Sequence, residues 1–389
     1  MNYIRVIYIM FMETVAYKYR VYSQNRNHQK RLSELLRTAA WIYNHCIALI
    51  KRYYRLYHKS LAKPKLQAHI AKMKKRCYTQ WEQLNSMAIQ QIADRIYEGY
   101  KRFFDRQAKR PPTFRNWRKY RSVTFKSSGW TLNGNVFTIN KLKLRLKFHL
   151  SRLVDGKIQT VCLGRDAAGD WWLSFTFRKG KKAQNKPMTG KTAGFDFGLK
   201  HFLTGADGMK IDSPLYLSHA VAQLRMKSRK LSRKVKGSHR RAKAKLELAR
   251  LYHHVANLRK EFHWKLALQL VSDYDAICLE TLNMRVMQRM WGRKVSDLGF
   301  SDFVNILNKQ CAKYGKKLIQ ISRWAATSKT CSVCGHHESE MPLNIRKWVC
   351  PKCGAYHDRD VNAAQNILRV GASTLGRGNR RPAVAGSSR

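Results

Sequence analysis

The sequence predicts an α/β core joined to a small β-barrel or sandwich and a helical lobe. Three observations carry that prediction. Residues 23–111 repeat apolar side chains at helical spacing, residues 113–190 switch to a period of two, and from residue 192 onward apolar strands alternate with helical patterns. Cys331, Cys334, Cys350 and Cys353 add a further element, a small metal-bound segment near the C-terminus.

In chain order, Arg5 to Met12 holds an apolar run of seven residues. That is far short of the roughly 20 needed to span a bilayer, and no small-residue cleavage site follows. Met10 and Met12 offer alternative starts that would leave this leader without a structural role. Val15 to Tyr22 alternates bulky and basic residues and reads as a strand. Leu32, Leu35, Leu36, Ala39, Ile42 and Tyr43 recur as one face of a helix. A second helix, capped by Ser86, carries Ile89, Ile92, Ile96, Tyr100 and Phe103, and Pro111-Pro112 stops it. Lys72, Lys74, Lys75 and Arg76 on this helical block either grip nucleic acid or form a solvated face.

The period-two region contains an Asn133-Gly134 hairpin signal. Leu142, Leu144, Leu146 and Phe148 alternate there with Lys141, Lys143, Arg145 and Lys147, giving one apolar and one cationic face. Residues 179–191, rich in Lys, Gly, Gln and Asn, read as a linker. Ala193 to Leu199 reads as a buried strand entering a turn, followed by a basic helical pair over about 218–271 broken at Gly237-Ser238. Asp275 to Glu280 is an apolar strand ending in a carboxylate. Residues 301–314 form a helix with Gly315 as its C-cap, 318–321 a strand, and 362–368 a final helix. The tail over 372–389 has the composition of a disordered segment.

Charge narrows the partners. Seventy-seven Lys and Arg stand against 23 Asp and Glu, a formal net charge of +54. Self-repulsion on that scale opposes compaction unless a polyanion is present, and phosphate neutralisation with counterion release makes nucleic acid the fitting partner. A solvated basic surface or a ribosomal-type structural protein is the plainer alternative. Nine cysteines, an odd count without framework spacing, argue against a secreted disulfide scaffold and for a reducing cytosol.

The cysteines form two C-x2-C knuckles separated by residues 335–349, a spacing suited to one Zn2+ ion. Four ligands leave no open coordination position, so this zinc is read as structural. His336, His337 and His357 then fall outside the ligand set. Among the scarce acids, Asp196 and Glu280 interrupt or end apolar strands, and Asp360 follows the second knuckle. A charge in an apolar setting is costly unless it is paired or binds metal. Carboxylates gathered at strand ends suit two Mg2+ ions acting on a phosphodiester. Each also has a simpler reading: Asp196 as a turn residue, Glu280 as a surface charge, Asp360 as a helix cap. Asp358 rivals Asp360 for the third position.

Gly194-Phe-Asp196-Phe-Gly-Leu resembles the first RuvC-type motif of the transposon-encoded TnpB proteins, relatives of type V CRISPR effectors. Phe195 and Phe197 stand where Ile and Leu are common. Ile277-Cys-Leu-Glu280 resembles the second motif. Residues 327–335, 346–354 and 357–367 resemble the family's zinc-ribbon and third motifs. The likeness runs from about residue 15 to 371 and is least specific in the helical block. It implies an RNase H-like (RuvC) nuclease domain at 191–325 and 355–371, a four-cysteine zinc ribbon at 326–354, a wedge β-barrel at 13–22 and 112–190, and a helical recognition lobe at 23–111. It further implies a DNA endonuclease guided by a noncoding RNA from the transposon end, acting on double-stranded DNA beside a short flanking motif. A monomeric ribonucleoprotein in the prokaryotic cytoplasm, with no membrane association, is expected. Arg225, Lys227, Arg229, Lys230, Arg233, Lys234, Arg240 and Arg241 are then candidates to line the heteroduplex channel. A nuclease-inactive, RNA-guided repressor would be expected to lack one or more carboxylates, yet all three are present. A guide-free transposase is the other alternative, because RNase H-like cores serve that chemistry too.

Overall fold

The computed structural model describes residues 12–76, 81–154, 156–180, 186–322, 324–342 and 344–376. The apolar leader and most of the C-terminal tail lie outside these. The chain divides into two units, residues 1–181 and 182–389.

In the first unit, β1 (Met12–Arg20) leads into α1 (Arg26–Tyr57), α2 (Lys63–Arg76) and α3 (Ser86–Phe104). The cap of α3 is Asn85, whose side chain accepts from the Ala88 N–H; Ser86, the expected cap, is already helical. The helix ends at Phe104, before the prolines reach it. Six strands follow: β2 (Ser122–Phe125), β3 (Trp130–Asn133), β4 (Val136–Ile139), β5 (Leu144–Lys147), β6 (Ile158–Arg165) and β7 (Trp171–Gly180). They form two antiparallel sheets, β1-β7-β6-β2 and β3-β4-β5. Gly134, at a φ of 54°, opens the two-residue turn between β3 and β4. The end of β1 links the sheets: Tyr22 N–H donates to Lys147 O and His149 N–H to Arg20 O. Leu144, Leu146 and Phe148 are buried, as the alternation requires, while Leu142 falls in a 3-10 turn. One continuous apolar core holds both sheets and helices, from Leu32 and Ile89 to Phe148 and Phe175, so the helical block has no core of its own.

The second unit is built on a five-stranded sheet. Its strands are β8 (Thr192–Phe197), β9 (His201–Gly205), β10 (Lys210–Asp212), β11 (Ala276–Glu280) and β12 (Lys317–Ile321), in the order β10-β9-β8-β11-β12. The β8-β9-β10 neighbours are antiparallel; β11 runs parallel to both β8 and β12. The helices are α4 (Tyr216–Ser232), α5 (His239–Asp273), α6 (Met284–Leu298), α7 (Phe300–Tyr314) and α8 (Arg359–Gly376). Ser238 caps α5 and Gly315, at a φ of 70°, closes α7, both at the expected breaks. Helix α8 is far longer than residues 362–368 and reaches into the segment expected to be disordered. Residues 186–191 are also not slack: Asp275 accepts from the N–H groups of Thr189 and Gly190, and Lys316 donates to Pro187 O.

Both faces of the sheet are covered, which explains runs of apolar residues instead of alternation. Ala193, Phe195, Phe197, Ile277 and Leu279 pack against α5 and α7, where Phe197 meets Phe300 and Phe303. The residues between them face α8. A Cβ added to Gly194 would sit 2.6 Å from Ala364 O, and one on Gly371 would sit 2.3 Å from Cys278 Sγ. Glycine at these two positions is what lets helix and strands approach so closely.

Candidate active site and zinc centre

Strand periodicity places the first two carboxylates. Asp196 shares its face of β8 with Gly194, and Glu280 shares its face of β11 with Cys278. Cys278 is paired with Gly194 in the parallel register, and Leu279 with Phe195. The next step along both strands puts Glu280 beside Asp196, at the carboxyl ends where open α/β sheets gather ligands. Helix α8 crosses this same face and brings Asp360, in its first turn, to the same end.

The electrostatics register that convergence. Crowding by protein atoms, then the charge of Glu280, then that of Asp360, hold the Asp196 carboxyl well above the usual carboxylate range. Burial also pushes Glu280 up. Arg359 opposes the shift at Asp196 and donates to Pro342 O and Ile345 O. Three acids gathered at one strand end form a site where a cation would relieve like-charge repulsion. Their all-oxygen donor set suits a hard divalent ion. They are nonetheless spread more widely than the thiolates. Among the described residues, only the four cysteines bring three or more such ligand atoms within 4.8 Å of one another. Asp360 Oδ1 instead accepts from Arg346 Nη1 at 3.3 Å.

Asp358, the rival for the third position, is differently engaged. Its Oδ1 accepts from the N–H groups of Asp360 and Val361, capping α8, and its Oδ2 accepts from Lys210 Nζ at 2.7 Å. A helix N-terminus and an ammonium together hold it below its ordinary range against the effect of burial. Asp358→Ala is expected to cost about 1 kcal/mol through the lost cap and to lower cleavage less than about tenfold, whereas Asp360→Ala abolishes it. Chemical denaturation and single-turnover cleavage of the two variants check this; equal loss of cleavage would return Asp358 to the metal site.

At the four-cysteine site, Cys331 Sγ lies 3.7 Å from Cys353 Sγ and Cys334 Sγ 3.6 Å from Cys350 Sγ. Four sulfurs at about 2.3 Å from one tetrahedral zinc stand about 3.8 Å apart, so the set fits that ion. His357 is buried against Trp348, with Nε2 3.1 Å from Cys331 Sγ, beside the ligands and not among them. Two short strands flank the second knuckle: β13 (Lys347–Val349) leads into it and β14 (Tyr356–Asp358) leads from it into α8.

The eight basic candidates gather on α4, the turn after it and the start of α5. Arg225, Arg229, Lys230, Arg233 and Arg240 are exposed. The first four, with Lys234, line an open groove of about 620 Å³. Arg241 instead donates to Leu231 O and Lys234 O and locks the turn. Lys227 and Lys230 lie 3.8 and 3.5 Å from Glu247, which partly offsets their charge. Asp297, buried at the end of α6, accepts from the N–H groups of Leu217 and Ser218 and anchors the start of α4. Arg346 and Arg359 were assigned no role by sequence reasoning; Arg359 stands between Asp358 and Asp360, while Arg346 is 14 positions from Asp360 and carried no such local signal. Among the described residues, no helix is long and apolar enough to cross a membrane.

Two family models match the chain: "Probable transposase" over residues 174–290 and "Cas12f1-like, TNB domain" over residues 300–367. A Streptomyces pristinaespiralis protein named "Putative RNA-guided DNA endonuclease" is 31% identical over 94% of this chain and 92% of its own length. The TnpB-like protein L79 of Acanthamoeba polyphaga mimivirus is 31% identical over 46% of this chain and 37% of its own. The chain seen in a cryo-EM structure of a Cas12f1–sgRNA–target DNA complex has a similar fold, with a TM-score of 0.57 at 14% identity over 92% of this chain and 99% of that one. With likeness to the Streptomyces protein running almost end to end, the chain belongs to the TnpB family of RNA-guided DNA endonucleases.

Proposed function

We propose that this protein cuts double-stranded DNA under the guidance of a noncoding RNA from the end of its transposon, at a site formed by Asp196, Glu280 and Asp360. The observation that carries the reading is the convergence of three carboxylates at one end of the β8/β11 pair, where burial, then the charges of Glu280 and Asp360, raise the pKa of Asp196. Two divalent ions, Mg2+ in the cell, would supply charge neutralisation and an activated water at the scissile phosphate. The chain's own contribution is to hold the acids on two rigid strands and one helix, where arriving cations would offset their mutual repulsion. Arg346 must release Asp360 for that to happen, which leaves its guanidinium beside the site. The net charge of +54 grips the backbones of guide and target, and base pairing carries the sequence information. In this reading residues 13–22 and 112–190 are the wedge, 23–111 the recognition lobe, and the particle contains one copy of the chain.

The test is to purify the chain co-expressed with its flanking DNA and sequence what copurifies. A discrete RNA whose 3′ segment directs Mg2+-dependent cleavage of a matching duplex is expected. Cleavage without RNA would favour the guide-free transposase, and RNA-directed binding without cleavage the repressor.

A further inference from the structure

Helix α8 is held on two sides. Asp360, Ala364, Ile367 and Leu368 follow one helical stripe, and Ala364 and Leu368 touch Gly194 on the sheet. Asn362 and Asn366, also one turn apart, lie on a different stripe and are almost completely buried. Their side chains reach the loop that carries the first cysteine knuckle. Asn362 Oδ1 accepts from Ser332 N–H at 2.8 Å, and its Nδ2 donates to Thr330 O at 2.8 Å. Asn366 Nδ2 donates to Thr327 O at 2.8 Å and to Thr330 O at 2.6 Å. Ser332 Oγ completes the seam with a bond to Gln365 Oε1. Buried amides that satisfy backbone groups of a loop fix that loop's distance and register, because breaking any one bond strands a desolvated polar group.

We propose that Asn362 and Asn366 are positioning residues that convert zinc occupancy into placement of Asp360. With zinc bound, the knuckle holds the 327–332 backbone in one conformation; the two asparagines transfer that constraint to α8, and the sheet contact at Gly194 turns it into a fixed rotation of the helix. Without zinc the loop relaxes and α8 keeps the sheet contact alone. The catalytic part of this inference rests on the proposed carboxylate site; the mechanical part does not.

The test uses the full chain with its copurified RNA and measures amide hydrogen exchange over residues 360–367, with zinc bound and after zinc is removed by a selective chelator. In the wild type, zinc removal is expected to speed exchange at these amides at least tenfold. In Asn362→Leu/Asn366→Leu the amides exchange fast from the start and chelation adds less than twofold, although zinc is still bound. Should the double variant fail to fold, Asn366→Gln, which keeps a donor of longer reach, is expected to restore part of the zinc-dependent protection relative to Asn366→Leu. Wild-type protection that ignores zinc, or a double variant that keeps its zinc dependence, overturns the proposal. A parallel Mg2+ titration of cleavage should show at least a fivefold higher half-saturating concentration in the variant. An inactive wild type that nonetheless shows the exchange effect would count against the nuclease reading and leave the mechanical coupling standing.

Discussion

Asp196→Asn is expected to lower guided cleavage by at least about 10³-fold, in line with the loss of one preorganised charge-stabilising group, and to stabilise the protein in Mg2+-free buffer. The two effects share a cause. Asp196 retains some accessible surface, yet packed atoms and two neighbouring acids make its charge unfavourable. Its folded pKa lies above that of the unfolded chain, so the folded state binds the proton more tightly. Its stabilising contribution is complete below the ordinary carboxylate range and is lost as pH rises toward the folded value. At neutral pH the ionised group therefore opposes folding until cations arrive. The amide keeps the shape and removes the charge. Thermal melts should show the variant above the wild type without Mg2+, and a Mg2+-induced rise in the wild type that the variant lacks. Retained cleavage would remove Asp196 from the site; an unchanged melting temperature would mean that the three acids do not repel. Guide RNA binding should change less than about twofold, because one charge is small against a net charge of +54.

How much of this was legible in the sequence depends on the range of the interaction. Strands β8, β11 and β12 and helices α5 and α7 announce themselves through apolar runs and end signals, which are local. The four-cysteine cluster was legible because a C-x2-C knuckle is a local device. Helix α2 was missed because its five lysines and one arginine mask a face of which only Leu66 and Ile70 are buried. The β9-β10 hairpin is short and, among the described residues, its strands pair only with each other and with β8, so little periodicity accumulates. The choice between Asp358 and Asp360 could not be made from spacing, since both stand beside the same knuckle. The structure separates them: α8 begins at Arg359, so Asp358 caps the helix while Asp360 stands in its first turn, where its charge bears on Asp196. The shared core of the helical block and the sheets was equally out of reach, because each apolar face reads alike whatever covers it.

Cys350→Ser should have the second large effect, and it should be confined to one end of the chain. The zinc segment has little else to hold it: Cys331, Met341, Trp348 and Cys350 are its entire buried cluster among the described residues, and β13 and β14 are three residues each. A two-stranded ribbon of that size is not stable alone. A zinc ion supplies on the order of 10–16 kcal/mol in such sites, comparable to a typical domain's whole stability. Serine offers a weak ligand with a hydroxyl proton to lose. Zinc content is expected to fall below about 0.2 per chain, and proteolysis should cut first within 335–358. A structural metal on a surface segment would let activity survive that damage. Here the loop carrying the first knuckle is bonded to Asn362 and Asn366, and β14 runs directly into the helix that holds Asp360. Cleavage should therefore fall by at least about 10²-fold, as expected when a catalytic group moves by about 1 Å, while the first unit keeps its melting transition and the particle its RNA. Full zinc content with unchanged cleavage would mean that three cysteines suffice, and that the fourth thiolate is not what fixes the third carboxylate in place.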